Sequence, residues 1–266
     1  MLDLVTAVSF TRVLGTGRTL PLQLEAERAD GEVIDVAAKL SDGGCGPGGL
    51  VREAMAAMLA ADLGLPVPEP VVVAFPVAFP EIVPDQSVGE RIRGSLSPTF
   101  GTRYVNGLFA YPAMRPIPPR LVDVAAEIVA FDGACRNNDR WAEKPNCLTD
   151  GVARLVIIDH ELALTDDPLL GSTLNPYPWV NGGMEALLNP ARPHILLARV
   201  RGLDARIDRL FEAWDALPSS RFGEYARAIP PQWDPTGEIV RPIQRYLEQL
   251  QQNLTGLANE ARRILK

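Results

Sequence analysis

The chain has 266 residues, of which 47% are hydrophobic and 22% are charged, and its formal net charge is −7. A chain of this length and composition can bury a sizeable core, either as one large domain or as two lobes. The acidic balance argues against nucleic acid or an anionic membrane surface as the main partner.

Cysteine and histidine are scarce in this chain. Cys45, Cys135 and Cys147 are too few and too scattered to predict a disulfide framework, and His160 and His194 add too little for a structural zinc site. The N-terminal residues lack the order of a signal peptide, and no apolar run is long enough to cross a bilayer. We therefore expect a cytoplasmic protein without a membrane partner.

The first third of the chain predicts a β-rich region with one helix. Alternating apolar residues favour strands, and an Asp-Gly pair at residues 29–32 is typical of a hairpin turn. An Ala-, Met- and Leu-rich helix is predicted from Leu50 to Leu63, with Gly64 just past its end. The predicted strands cover residues 4–14, 20–24, 33–40 and 71–75.

The second half of the chain predicts mainly helices. Residues 80–117 are interrupted by Pro, Gly and Ser and are left unassigned, although part of them should connect two lobes. We predict an α+β, two-lobed, protein-kinase-like layout, with an N-terminal lobe over 1–115 and a C-terminal lobe over 116–266. Beyond the unassigned stretch, the predicted helices are 119–132, 193–199, 204–216, 221–228 and 240–265, with two short strands at 146–148 and 155–158.

One stretch of the C-terminal half combines the residue types that phosphoryl transfer needs. Asp139 is followed by Arg140, then by Asn146, and an apolar strand then delivers Asp159. This is the order of a kinase catalytic loop and its metal-binding strand. Asp139 would orient or accept the hydroxyl proton, while Asn146 and Asp159 would hold Mg²⁺. The alternative is an Asn- and Asp-rich loop that only caps the preceding helix.

Lys39 and Glu53 lie upstream of this set. Lys39 ends an apolar strand and Glu53 opens the next predicted helix. In kinases a lysine so placed reaches the α- and β-phosphates and pairs with a helix glutamate. The alternative is an edge-strand lysine and a solvated glutamate.

The glycine-rich segments give a weaker signal. Gly15, Thr16 and Gly17 join the first two strands, where backbone N–H groups could approach phosphate; a plain hairpin turn is the alternative. A second loop over 43–49 follows the Lys39 strand. Neither segment matches a Walker-type phosphate loop, so that class of nucleotide-binding protein is not supported. We assign Gly15, Thr16, Gly17 and Lys39 to nucleotide binding.

A set of short motifs spans most of the chain, from about residue 10 to about residue 250. They comprise Lys39, Glu53, the segment 63–68, Phe131-Asp132, Asn138-Asp139-Arg140, Pro145-Asn146, Ile158-Asp159-His160 and Ile229-Pro230-Pro231-Gln232-Trp233. As a set these motifs resemble the HipA-like kinase family, in particular its compact bacterial branch.

The resemblance implies a protein-kinase-like fold, ATP and Mg²⁺. It implies that Asp139 is the catalytic aspartate, Asn146 and Asp159 the metal ligands, and Lys39 the phosphate-binding lysine. The chain departs from the family's toxin kinases in three ways. Trp141 stands where they have histidine, and the loop between Asp139 and Asn146 is longer. The chain also has no clear autophosphorylation serine.

These observations predict an ATP-dependent phosphotransferase acting on a hydroxyl, most simply Ser or Thr of a protein. The expected partners are ATP and an unidentified protein, as acceptor or regulator. Two alternatives stay open: a nucleotide-binding pseudokinase or interaction module, and a transferase that moves AMP. If the kinase prediction is right, Lys39, Asp139, Asn146 and Asp159 must line one cleft. Oxygen atoms of the last two should then lie roughly 4–5 Å apart, and Lys39 should lie near Glu53.

Overall fold

A computed structural model describes residues 2–15, 19–42, 46–165 and 175–266. Thr16 and Gly17, which the sequence assigns to nucleotide binding, and Cys45 lie outside the described residues.

Five strands in the first 103 residues form a closed barrel with the order β1-β2-β3-β5-β4. Neighbouring strands are antiparallel except β1 and β4, which pair in parallel and close the barrel. Apolar side chains such as Val5, Leu24, Val36 and Val73 fill its interior, as the alternating pattern predicts. The strands are β1 (Asp3–Val13), β2 (Leu22–Glu27), β3 (Val33–Lys39), β4 (Pro70–Ala74) and β5 (Thr99–Arg103).

Three helices lie in the connections between the barrel strands. The helix α1 (Gly46–Asp62) follows β3, while α2 (Phe79–Ile82) and α3 (Gln86–Gly94) lie between β4 and β5. The side chain of Asp85 accepts the backbone N–H of Ser87 and so caps α3. These short elements occupy the stretch from residue 80 that the sequence left unassigned, because each is too brief to show a clear hydrophobic period.

A second, three-stranded antiparallel sheet consists of β6 (Phe109–Ala110), β7 (Cys147–Thr149) and β8 (Leu155–Ile157). The strands β7 and β8 correspond to the two short strands predicted on either side of a turn. Asp150 organises that turn, since its carboxylate accepts three successive backbone N–H groups, those of residues 152–154.

The rest of the described chain is mainly helical. Two 3₁₀ turns occur at Pro119–Leu121 and Glu185–Leu188. The α-helices are α4 (Val122–Ala134), α5 (Leu197–Val200), α6 (Asp208–Asp215), α7 (Ser220–Ala228), α8 (Val240–Gln252) and α9 (Leu254–Leu265).

The single C-terminal helix predicted over 240–265 is wrong, because the helix is interrupted at Asn253. The side-chain amide of Asn253 donates to the carbonyl of Gln249, and its backbone leaves helical geometry with φ −119° and ψ 24°. Asparagine competes with the helix by bonding nearby backbone groups, which explains why this residue ends α8.

Two apolar cores stabilise the molecule. The smaller core fills the barrel, and the larger core packs α1 together with α4 and the C-terminal helices. The helix α4 is buried along almost its whole length, and the first residues of the loop that follows it, 135–137, are buried as well. The mixed α+β class, with a β-rich N-terminal part and a helical C-terminal part, is confirmed, while the lobe boundary between residues 115 and 116 stays a prediction.

Within the described ranges, none of the helices has both the length and the apolar character needed to cross a membrane.

Candidate active site

Lys39 ends β3 inside a cluster of carboxylates. Its Nζ lies 2.8 Å from Oε2 of Glu53, 2.6 Å from Oδ1 of Asp159 and 3.6 Å from Oε2 of Glu161. Glu53 comes from α1, whereas Asp159 and Glu161 follow β8. The fold therefore brings together three charged residues that the sequence had selected separately, namely Lys39, Glu53 and Asp159.

The buried carboxylate of Glu53 is held in its ionised form. Burial by itself would raise its pKa, but the charge of Lys39 and the nearby imidazole of His160 together outweigh burial and lower it. The carboxylates of Asp159 and Glu161 pair with the same ammonium group as Glu53 does.

Contacts at both ends hold α1, and therefore Glu53, in place. Near its start, Nε of Arg52 donates to the backbone carbonyl of Glu161 at 2.7 Å. At its last residue, Asp62 accepts a 2.5 Å hydrogen bond from Nε of Arg221 on α7. The position of the buried glutamate thus depends on packing against the C-terminal helices.

Asp132, near the end of α4, organises the loop that contains the predicted catalytic aspartate. Its fully buried carboxylate accepts hydrogen bonds from Nε of Arg140 at 2.7 Å and from the side-chain amide of Asn137 at 2.9 Å, and it lies 2.9 Å from Nε2 of His194. Burial is the largest single effect and would raise the pKa of Asp132, but the charge and hydrogen bonds of Arg140 and the neighbouring His194 together outweigh it and lower this pKa. These contacts fix the start of the loop that carries Asp139.

Arg140 connects this loop to the strand that precedes Asp159. Its guanidinium donates to the backbone carbonyls of Asn146 and Ile158, and the N–H of Ile158 donates to the carbonyl of Asn146 at 3.0 Å. Asn146 and Asp159 both adopt the left-handed conformation, with φ 42° and 62°. Asn and Asp are the non-glycine residues that tolerate this conformation best, and it is often found at functional sites.

Asp139 is partly buried beside Asn146. The side-chain amide of Asn146 donates to the backbone carbonyl of Asp139 at 2.9 Å and approaches its Oδ2 at 3.4 Å. Lys144 lies 3.6 Å from the same carboxylate. Burial raises the pKa of Asp139; Lys144 opposes this shift and the negative charge of Asp159 adds to it. Asp139 and Asp159 therefore influence each other electrostatically.

A cavity of about 390 Å³ separates the barrel from the second sheet. Gly15, Lys39, Glu53 and Asp159 line it, whereas Asp139 and Asn146 do not. The carbonyl of Asn146 accepts the N–H of Ile158, which does line the cavity. This volume lies in the range of small-molecule sites. Gly15 has φ +70°, a conformation that glycine adopts without strain. The apolar lining includes Leu14, Ala37, Phe100, Leu148, Ile157 and Ile158.

Sequence reasoning missed Glu161, and it assigned no chemistry to His160. Nδ1 of His160 lies 3.8 Å from Oε1 of Glu53, and its ring packs edge-on against Phe131. His194 was also missed as a partner of Asp132. The only sequence signal for Glu161 is its place two residues after Asp159, which is too common a pattern to identify a site.

Comparisons with known proteins identify the fold and the family of this chain. Over 96% of each chain, the structure matches the crystal structure of CtkA, a proinflammatory kinase of Helicobacter pylori, with a TM-score of 0.57 and 11% sequence identity. At this identity the match shows a shared fold. A family model described as a HipA-like kinase matches residues 29–175, which is more than half of the chain. The chain belongs to the HipA-like kinase family, as the resemblance of its motifs predicted. A search of curated proteins found no match.

Proposed function

We propose that the protein transfers the γ-phosphate of Mg-ATP to a hydroxyl group, with Ser or Thr of a protein as the acceptor. Membership of a kinase family implies ATP and a divalent metal ion in general terms. The observation that carries the proposal is the placement of Lys39 between Glu53 at 2.8 Å and Asp159 at 2.6 Å, at the edge of a nucleotide-sized cleft.

The composition of the cleft supports one orientation of the nucleotide. The base would pack against the apolar side chains of Ala37, Phe100 and Ile157, and the phosphates would extend toward Lys39. Gly15 lines the same cleft, and its missing side chain leaves backbone N–H groups accessible to phosphate. The assignment of Thr16 and Gly17 to the phosphates stays a prediction.

Asp159 and Asn146 are the proposed ligands of Mg²⁺. Carboxylate and amide oxygens suit this ion, and the contact from the Asn146 amide nitrogen to Asp139 leaves the amide oxygen for a metal. Oxygens of Glu53, Asp159 and Glu161 also lie within 4.8 Å of one another. That second group is less suitable, because the Lys39 ammonium already lies among those carboxylates and would repel a divalent cation.

Asp139 is the proposed group that orients the acceptor hydroxyl and takes its proton. Burial raises the pKa of this carboxyl, which makes its carboxylate a stronger base than a solvated aspartate. Lys39 would neutralise charge on the phosphates, and Glu53 would hold Lys39 in position.

The test is ADP release and phosphate incorporation with Mg-ATP, using the protein itself and panels of protein, lipid and small-molecule acceptors. We expect Asp139→Asn to lower turnover by about 10²–10⁴-fold. The exposed Asp215→Asn variant on α6 serves as the control and should retain activity. Equal backgrounds for wild type and Asp139→Asn across all acceptors would contradict the proposal. The mass added to the product distinguishes phosphate from AMP transfer.

A further inference from the structure

A second cavity, of about 360 Å³, lies beside the end of α4 and the middle of α8. Its polar lining comprises two arginines, two tyrosines and a glutamine, and no carboxylate lines it among the described residues. These residues are Arg136, Tyr177, Arg245, Tyr246 and Gln249. Its described lining therefore carries two positive charges and no negative one, on a protein whose net charge is negative.

Arg136 is the buried member of this lining, with only 8% of its surface exposed. Its guanidinium carbon lies 4.2 Å from the centroid of the Tyr246 ring. Its Nε–H is buried and meets no hydrogen-bond acceptor in the described ranges, and the described ion pairs do not include it. Buried polar groups in proteins are nearly always paired, so this arginine calls for an explanation.

Contacts within the protein explain only part of why the Arg136 side chain is buried beside this cavity. Arg136 follows the C-terminus of α4, where the helix dipole favours a positive charge. The Tyr246 ring adds a cation–π contact, and its hydroxyl donates to the carbonyl of Ala134 at 2.6 Å, which fixes the ring. Neither interaction supplies an acceptor for the N–H groups of the guanidinium.

We propose that this cavity binds a small oxyanion, a phosphate or carboxylate group, between Arg136 and Arg245. A guanidinium presents its N–H donors in a planar fork that matches two oxygens of such a group. Gln249 and Tyr177 line the same cavity and can add donors from an amide and a hydroxyl. The site is distinct from the Lys39 cleft, since none of the described residues lines both cavities.

Arg136 lies directly before the predicted catalytic loop in the chain. The next residue, Asn137, donates to Asp132 at 2.9 Å and accepts the backbone N–H of Asp139 at 3.3 Å. Arg136 itself adopts the left-handed conformation with φ 56°. An anion held by Arg136 would therefore contact the residue at which the chain turns into that loop.

The experiment titrates the full chain with sodium phosphate and with sodium succinate, against sodium chloride at matched ionic strength and pH. Thermal unfolding and tryptophan fluorescence give the readouts. Trp179 is a local reporter, because its ring centroid lies 5.5 Å from that of Tyr177 and 6.5 Å from that of Tyr246. We expect a saturable response to at least one oxyanion that chloride does not reproduce.

Variants locate the binding site. Arg136→Gln should abolish the saturable response. Arg245→Gln should raise the anion concentration at half-saturation by about tenfold or more, in line with the loss of a charge-assisted hydrogen bond. Arg227→Gln is the control, since Arg227 is exposed on α7 and does not line the cavity. Lys39→Met should retain the response, which separates this site from the cleft.

Four results would overturn the proposal: an equal response to chloride, a wild-type response in Arg245→Gln, a wild-type response in folded Arg136→Gln, or loss of the response in a Lys39→Met protein that circular dichroism shows to be folded. Because Arg136 is buried, Arg136→Gln also requires a folding check by circular dichroism. If that variant does not fold, Arg245→Gln decides the question, since Arg245 is exposed and has no ion pair in the described ranges.

Discussion

Lys39 has a double role at the scale of single residues. It is the cation that allows Glu53 to stay ionised inside the molecule, and it is also the proposed phosphate-binding group. Removal of one partner from a buried ion pair costs about 3–5 kcal/mol, because the remaining charge is left without compensation. A loss of turnover in Lys39→Met would therefore combine structural and chemical effects, and Asp139 is the more informative position for mutation.

Asp139 should show a conflict between stability and activity. Since folding raises its pKa, the ionised carboxylate weakens the folded state at every pH above that pKa. We expect Asp139→Asn to melt at the same temperature as wild type or higher at pH 7.5, although its turnover is lost. Differential scanning calorimetry without nucleotide makes the comparison. A clear drop in melting temperature would show that the carboxylate stabilises the fold and is not held there for chemistry.

For Asp132, in contrast to Asp139, the ionised carboxylate should stabilise the folded state. Its folded-state pKa lies below the ordinary value of about 3.9. The stability contributed by its charge is therefore fully present above about pH 5 and is lost as the pH falls through the folded-state pKa. We expect Asp132→Asn to lower the free energy of unfolding by about 3–5 kcal/mol at pH 7, because Arg140 keeps its buried charge.

Urea unfolding at a series of pH values tests this expectation. The difference between wild type and Asp132→Asn should narrow as the pH falls below about 4. Asp215→Asn, an exposed aspartate, should stay within about 0.5 kcal/mol of wild type throughout. A difference that does not change with pH would mean that hydrogen-bond geometry, and not charge, accounts for the role of Asp132.

At the scale of elements, the barrel depends on a close approach between strands. Gly101 lies in β5, between β3 and β4. A Cβ atom at this position would lie 2.8 Å from Cγ1 of Val36 and 2.8 Å from Cγ2 of Val73. Both neighbours are β-branched and stiff, so they cannot move aside easily. Glycine is thus required here by packing and not by an unusual backbone conformation.

We expect Gly101→Ala to destabilise the protein by about 1–3 kcal/mol through overpacking. Gly94→Ala is the matched control, since Gly94 ends α3 and a Cβ there meets no atom within 4 Å. Alanine favours helix over glycine by up to about 1 kcal/mol, so this control should be neutral or slightly stabilising. Urea denaturation followed by circular dichroism measures both changes. Equal effects of the two substitutions would contradict the packing argument.

At the scale of the whole molecule, the C-terminal segment supports the barrel. The indole Nε1 of Trp233 donates to the carbonyl of Pro98 at 2.7 Å, just before β5 begins, although 135 residues separate the two. The contact between Asp62 and Arg221 similarly joins α1 to α7. The motif around Trp233 therefore has a structural function in addition to marking the family resemblance.

Trp233→Phe tests this connection. It removes the hydrogen bond and leaves the Pro98 carbonyl unpaired, which costs about 1–3 kcal/mol in addition to the loss of packing. The control is Trp214→Phe: both indoles are fully buried, but Nε1 of Trp214 has no hydrogen-bond partner in the described part of the chain. We expect Trp233→Phe to be the more destabilising change in urea denaturation. The reverse order would show that the hydrogen bond to Pro98 contributes little.

The sequence by itself determined the local features of this protein. Alternating apolar residues located β2 and β3, the Ala- and Leu-rich run with Gly64 located α1, and the order of Asp139, Asn146 and Asp159 indicated the chemistry. Each of these signals depends on a short, continuous stretch of the chain, so it can be read without knowledge of the fold. The break at Asn253 was missed because a single asparagine is only a weak helix terminator.

Only the tertiary structure decided which of these residues meet. Lys39 contacts Glu53, 14 residues away, and Asp159, 120 residues away. The addition of Glu161 to this cluster, the link from Asp132 to His194, and the cavity beside Arg136 were likewise not predictable from local patterns. Contacts at such separations depend on how the barrel and the helical core pack as a whole. That packing is the sum of many small burial terms distributed along the chain, and no short motif encodes it.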